Sequence, residues 1–227
     1  MHAVESFTVD TNTVTIYADP DAESPRDWDN LGTMVCFHKR RSLGEKHNFD
    51  DSEAFLYSLL PEAVQTRLEK RAEREHAAAW DKLKAAGYSY GSDASLRASR
   101  EIDVDHRARL LAEAEKHAVI LPLYLYDHSG ITVSTAPFGC PWDSGQVGYV
   151  YASLDDIRKE FSCKRVTAKH RAQAEKTLRQ EVKTYDQYLT GDVYGYVVAD
   201  ENGDESDSCW GFFGLDYARD EATAAAK

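Results

Sequence analysis

The chain has 227 residues and a formal net charge of −12, with 39 Asp and Glu against 27 Lys and Arg, 42% hydrophobic residues and 11% aromatic ones. That apolar content supports a real core and argues against global disorder. The acidic balance argues against non-specific binding to nucleic acid or anionic membrane, and fits either a solvated surface or a basic protein partner.

In chain order, the first strands are expected at residues 7–9 and 14–18, β-branched and aromatic runs joined as a hairpin by Asp10-Thr11-Asn12-Thr13. Residues 19–30 hold two prolines and many acids and read as a loop. A third strand over 32–38 then ends at Lys39-Arg40-Arg41. Asp50-Asp51-Ser52-Glu53 has capping-box spacing ahead of a helical period at Phe55, Leu56, Leu59, Leu60, Val64 and Leu68. Pro61 should divide that run into a short helix and a second one. Residues 62–86 are rich in Ala, Glu, Lys and Arg and suit an exposed helix. Residues 87–100 break the pattern and read as a loop, and 105–117 resume it. The span 60–118 carries 11 acids and 11 bases and is expected to be a helical insertion within a single α+β domain over 1–227.

Residues 119–126 are the most apolar run and suit a central strand. Asp127-His128-Ser129-Gly130 turns it into a partner strand at 131–135. Residues 148–152 read as a further strand, after which Ser153 caps a short helix with Asp156 at the third position. A long helix follows over 167–189, and residues 163–183 carry seven bases and two acids. That basic face is expected to pair with the acidic end of the chain or of a second copy, which allows a homo-oligomer. Residues 193–199 and 209–215 form a hairpin around 200–204, and 217–227 read as a frayed helical tail. From 184 to the end there are ten acids and two bases. The fold class is therefore α+β: a mixed, mainly antiparallel sheet of six or seven strands with flanking helices. Runs 14–18, 32–38, 119–126, 148–152 and 193–199 are expected in one sheet.

Three segments set tryptophan beside small polar or acidic residues and glycine: Asp27-Trp28-Asp29-Asn30-Leu31-Gly32, Cys140-Pro141-Trp142-Asp143-Ser144-Gly145 and Asp207-Ser208-Cys209-Trp210-Gly211. They suit either packed corners or an aromatic, acidic surface that grips Arg or Lys on a partner. Trp28, Trp142 and the Asp127-His128 turn are expected to be neighbours at one sheet edge. The binding candidates are Trp28, Asp29, Asp127, Trp142, Asp143, Trp210, Asp200, Asp204 and Asp207. The alternative is a hydrolase-like enzyme using the Asp127, His128, Cys140 and Asp143 region, in which Cys140 attacks, His128 or His38 takes the proton and an aspartate orients the imidazole. The Pro after Cys140 weakens it, since the thiol then cannot open a helix whose dipole would activate it.

Asp27, Asp29, His38, Asp127, His128 and Asp143 could be imagined around a hard cation, but no metal signature accompanies them. Asp200-x-Asn202-x-Asp204 starts like a calcium loop and then departs at Glu205 and Gly211. Phosphate-loop, dinucleotide and nucleophile-elbow motifs are absent. The expectation is thus no metal, no cofactor, and a binding protein more than an enzyme. Four cysteines without a C-x-x-C pair, a start without a signal-peptide pattern and no long uncharged apolar stretch point to the cytoplasm.

Four stretches carry a resemblance: Asp27-Trp28-Asp29-Asn30-Leu31-Gly32-Thr33-Met34-Val35-Cys36-Phe37-His38, Leu121-Pro122-Leu123-Tyr124-Leu125-Tyr126-Asp127-His128-Ser129-Gly130, Cys140-Pro141-Trp142-Asp143-Ser144-Gly145-Gln146-Val147-Gly148 and Tyr185-Asp186-Gln187-Tyr188-Leu189-Thr190-Gly191-Asp192-Val193-Tyr194-Gly195. In these the chain resembles a family of accessory proteins from phages, prophages and plasmids. The resemblance covers the strand-rich half and carries no catalytic residues. It implies a host-cell setting and an anti-defence role, with an acidic inhibitor binding the basic nucleic-acid groove of a CRISPR effector or restriction enzyme. A host-takeover protein with a partner outside defence is the blander implication.

Overall fold

Alternation decides the first elements. In β2 (Asn12–Ala18) Val14 and Ile16 are fully buried while Thr13 between the runs is exposed, the period-two signature of a strand with one covered face. The computed structural model describes residues 3–227. Its strands are β1 (Ala3–Val9), β2, β3 (Thr33–Cys36), β4 (Ala118–Asp127), β5 (Ile131–Ser134), β6 (Ser144–Ser153), β7 (Val193–Ala199) and β8 (Glu205–Phe213). Its helices are α1 (Ser52–Ser58), α2 (Glu62–Ala85), α3 (Asp93–Ala114), α4 (Leu154–Glu160), α5 (Ala168–Thr190) and α6 (Leu215–Ala225), with a 3-10 turn at Pro25–Asp27.

The strands form two four-stranded sheets and not one larger sheet: β1-β2-β7-β8 and β3-β6-β4-β5. This corrects the expected single sheet, because runs 14–18 and 193–199 lie in the first and the other three in the second. Alternation shows that a strand has one covered face but says nothing about which distant strand lies beside it. Here the N-terminal hairpin pairs with the C-terminal one, Val14 opposite Val198 and Ile16 opposite Tyr196. The three expected hairpins β1–β2, β4–β5 and β7–β8 are antiparallel neighbours, and β4 is an interior strand.

Helix ends follow local chemistry. Asp51 caps α1 by accepting from the amides of Glu53 and Ala54 at 2.9 and 2.8 Å. Pro61 stands between α1 and α2, as its missing amide requires. Ser153 caps α4, accepting from Asp156 N at 3.1 Å. Two departures stand out. The 87–100 loop is shorter than expected, since Ser92 caps α3 and helix runs from Asp93. The alanine-rich tail is α6, with Ala218, Ala222 and Ala226 buried against Val14, Ile16, Tyr196 and Val198. Small side chains at every fourth position bring that helix close to the sheet, so burial anchors what composition suggested would fray.

The chain divides into two compact units, one of residues 1–45, 121–150 and 175–227, the other of 46–120 and 151–174. The first contains the β1-β2-β7-β8 sheet with α6; the second contains α1 to α4. Among the described residues no helix is long and apolar enough to cross a membrane.

Candidate functional site

The first sheet has α6 on one face. Phe212 stacks on Tyr196 at 5.5 Å on the α6 side, and Phe213, the next residue of β8, faces away. A register shift between Tyr194 and Tyr196 and a positive φ at Gly211 interrupt the alternation, so Trp210 shares the face of Phe213. There Trp210 lies directly over Gly195, at a place where any Cβ would collide with its indole ring, and meets Tyr17 at 6.1 Å. Trp28 presents its edge to Phe213 at 5.3 Å and 84°. Trp28 remains 47% exposed and Trp210 37%, so this aromatic cluster is packed from beneath and open above. Exposed Asp27 and Asp29 flank Trp28, and Asp19 Oδ2 accepts from Gly211 N at 3.1 Å. Trp28 and Trp210 thus each make a ring contact at the C-terminal part of β8, Trp28 with Phe213 and Trp210 with Tyr17.

The loop bearing Trp28 is held by a buried ion network that the sequence reading missed. Arg26, 6% exposed, pairs with Glu45 and donates to Gly32 O at 2.6 Å, with Glu181 Oε2 at 3.6 Å. Glu181, on α5, accepts from Leu31 N at 2.8 Å and Gly32 N at 3.0 Å. Burial pushes the Glu181 carboxyl above its usual range, against the pull of those amides and of Arg26. The available signal was an acid beside Leu178, Val182 and Tyr185, the buried positions of an otherwise basic helix. Arg171 donates to the carbonyls of Glu115, Lys116 and Ala118, and Arg179 to Glu175 and Thr135.

The other end of β8 is acidic. Asp200 Oδ1 accepts from Asn202 N at 2.8 Å and Asp204 N at 3.0 Å, which holds its carboxyl below the usual range. Every residue from Glu205 to Trp210 is exposed, on a strand that forms the edge of its sheet. Asp207 accepts from Tyr196 Oη at 3.5 Å. From 184 to 218 the chain has no Lys or Arg at all. Asp200, Asp204 and Asp207 therefore form one acidic run from the β7–β8 turn into β8, ahead of Trp210 along the strand.

Trp142 lies elsewhere. It is 91% exposed in the loop before β6, beside Cys140 and Asp143, while the ring partner of Trp28 is Phe213. The expected meeting of Trp28 with Trp142 is replaced by the meeting of Trp28 with β8. Around Trp142 the structure brings together the other candidates: Asp143 Oδ2 is 3.3 Å from His128 Nδ1 and 3.8 Å from Cys140 Sγ. Asp127 N donates to Asp143 O at 2.9 Å, and the Asp127 carboxylate takes Arg41 in a two-pronged pair at 2.8 and 3.2 Å. Arg41 holds the Asp127 carboxyl below its usual range. A thiol relay needs the imidazole between thiol and carboxylate. Here the carboxylate stands between the other two, so the thiol donates to Asp143 and the His128 imidazole faces the carboxylate and not the thiol. Among the described residues no three His, Cys, Asp or Glu side chains converge as a metal site.

Comparison of the chain with protein-family models, curated proteins and solved structures finds no match.

Proposed function

We propose that the chain is an acidic accessory protein of a phage or mobile element that binds and inhibits a host defence protein, of the CRISPR-effector or restriction-enzyme type, in the host cytoplasm. The observation that carries this reading is β8. The exposed edge strand β8 and the turn that leads into it carry the carboxylates of Asp200, Asp204 and Asp207 at one end and the part-exposed Trp210, with the Trp28–Phe213 pair, at the other. Carboxylates attract a basic groove and steer its approach, while partly buried tryptophans supply rigid area and π-faces for Arg and Lys. The motif resemblance supports the mobile-element setting. Binding to a purified effector should weaken steeply with salt, because surface carboxylates are screened over about 8–10 Å. DNA should compete for the same effector. Binding that ignores salt, or that persists on a DNA-loaded effector, contradicts the reading.

A second reading, a small hydrolase using the Asp127/His128/Cys140/Asp143 region, is favoured only by the meeting of these residues in one place. The order thiol, carboxylate, imidazole counts against it.

A further inference from the structure

Helices α2 and α3 of the second unit form an open surface cleft of about 290 Å³ lined by Arg67, Leu68, Arg71, Arg74, Arg109 and Glu113. Arg67, Arg71 and Arg74 recur at i, i+4 and i+7, a single stripe along α2, and Arg109 is added from α3. At 3.6 residues per turn Glu69 and Glu73 fall on the opposite side of the helix. Like charges one turn apart disfavour a helix, so helix stability does not account for the stripe.

The neighbouring carboxylates orient these guanidinium groups without cancelling them. Glu75 accepts from Arg71 Nε at 2.9 Å and from Arg109 Nη1 at 2.6 Å. Glu113 accepts from Arg67 Nη2 at 3.0 Å and from Lys116 Nζ at 2.9 Å, and Asp105 touches Arg109 at 3.4 Å. Both glutamates are held below the usual carboxylate range, Glu75 chiefly by Arg109 and Glu113 chiefly by Lys116. Arg74 donates through Nε to Lys70 O at 2.9 Å and lines the cleft with no carboxylate of the described residues bonded to it. The four arginines and Lys116 thus outnumber the three carboxylates, a local positive excess in a chain of net −12.

We propose that this cleft binds a small polyphosphate anion, either free pyrophosphate or the phosphate tail of a nucleotide. Guanidinium forks match phosphate oxygens in pairs, and forks already ordered by carboxylates lose less freedom on binding than free ones. A concave site between two helices fits a compact anion. The proposal is independent of the β8 surface.

Calorimetric titration of the full chain with inorganic pyrophosphate, against potassium chloride at matched ionic strength, tests it. Saturable binding is expected, weakened at least about tenfold by Arg74→Gln with helix content unchanged, because Arg74 bonds a backbone carbonyl of its own helix and no carboxylate of the described residues. Arg67→Gln serves as the second variant. ADP that binds while adenosine does not identifies the nucleotide tail as ligand; pyrophosphate binding without ADP binding identifies the free anion. Absence of saturable heat, or equal binding by the wild type and both variants, overturns the proposal and leaves the stripe as an interhelical ion lattice.

Discussion

Trp210 rests on the bare backbone of Gly195, on the face of the first sheet opposite α6. The indole can lie that close only because the strand beneath it has no side chain at that point. The tryptophan is thereby held flat and open, next to Tyr17 and near the Trp28–Phe213 pair. This relationship makes β8 a surface and not merely an edge.

Gly195→Val should lift Trp210 from the sheet. Overpacking of this kind costs about 1–3 kcal/mol. Partner binding should fall along with it, and the fluorescence of Trp210 should change. Trp210→Ala should reduce partner binding more than it reduces stability, since the ring is partly exposed. Equal losses in both would assign the ring to packing alone.

Arg26→Met should destabilise the first unit by roughly 3 kcal/mol, the scale for leaving a buried carboxylate without its partner. Denaturant unfolding measures this. A variant as stable as the wild type would show that the Leu31 and Gly32 amides satisfy Glu181 without Arg26.

Glu181 also sets a pH dependence. Its folded-state value is raised above the ordinary 4.5, so the folded chain holds this proton more tightly than the unfolded one. Its contribution to stability is therefore fully present below about 4.5 and falls as pH rises through the raised value. Glu181→Gln should flatten that part of the stability–pH curve. A wild-type slope retained in the variant would trace it to another group.

Removal of residues 215–227 should unfold the first sheet, because α6 covers Val14, Ile16 and Val198. Ala222→Leu should be destabilising by about 1–3 kcal/mol for want of room. Tolerance of either change in circular dichroism and denaturant unfolding would show that α6 is an appendage.

Cys140→Ser should leave biological activity unchanged, because the thiol faces Asp143 and the His128 imidazole bonds that carboxylate instead of the thiol. Loss of activity in this variant, with fast alkylation of Cys140 at neutral pH in the wild type, would favour the hydrolase reading instead.

Much of the fold was legible where the cause is local. The hairpins at Asp10-Thr11-Asn12-Thr13 and Asp127-His128-Ser129-Gly130, the break at Pro61 and the Ser153 cap all follow from a few adjacent residues. The division into two sheets was not legible, because the pairing of Val14 with Val198 joins residues far apart in the chain. The tail was misread for a related reason: the alanines of α6 look weak in isolation and become buried only against β2 and β7. At the site, the acidic run and the tryptophans were visible one by one. That Trp28 meets β8 and not Trp142 depends on Arg26, Glu45 and Glu181, three charged residues whose convergence no spacing announces.

The central claim is most directly tested by phage infection of hosts that each carry one CRISPR or restriction system and express this chain. The account predicts that the wild type relieves restriction by at least one system, and that the triple variant Asp200→Asn, Asp204→Asn, Asp207→Asn and the single variant Trp210→Ala lose that relief while remaining folded. Relief of no system, or undiminished relief by the triple variant, would contradict it.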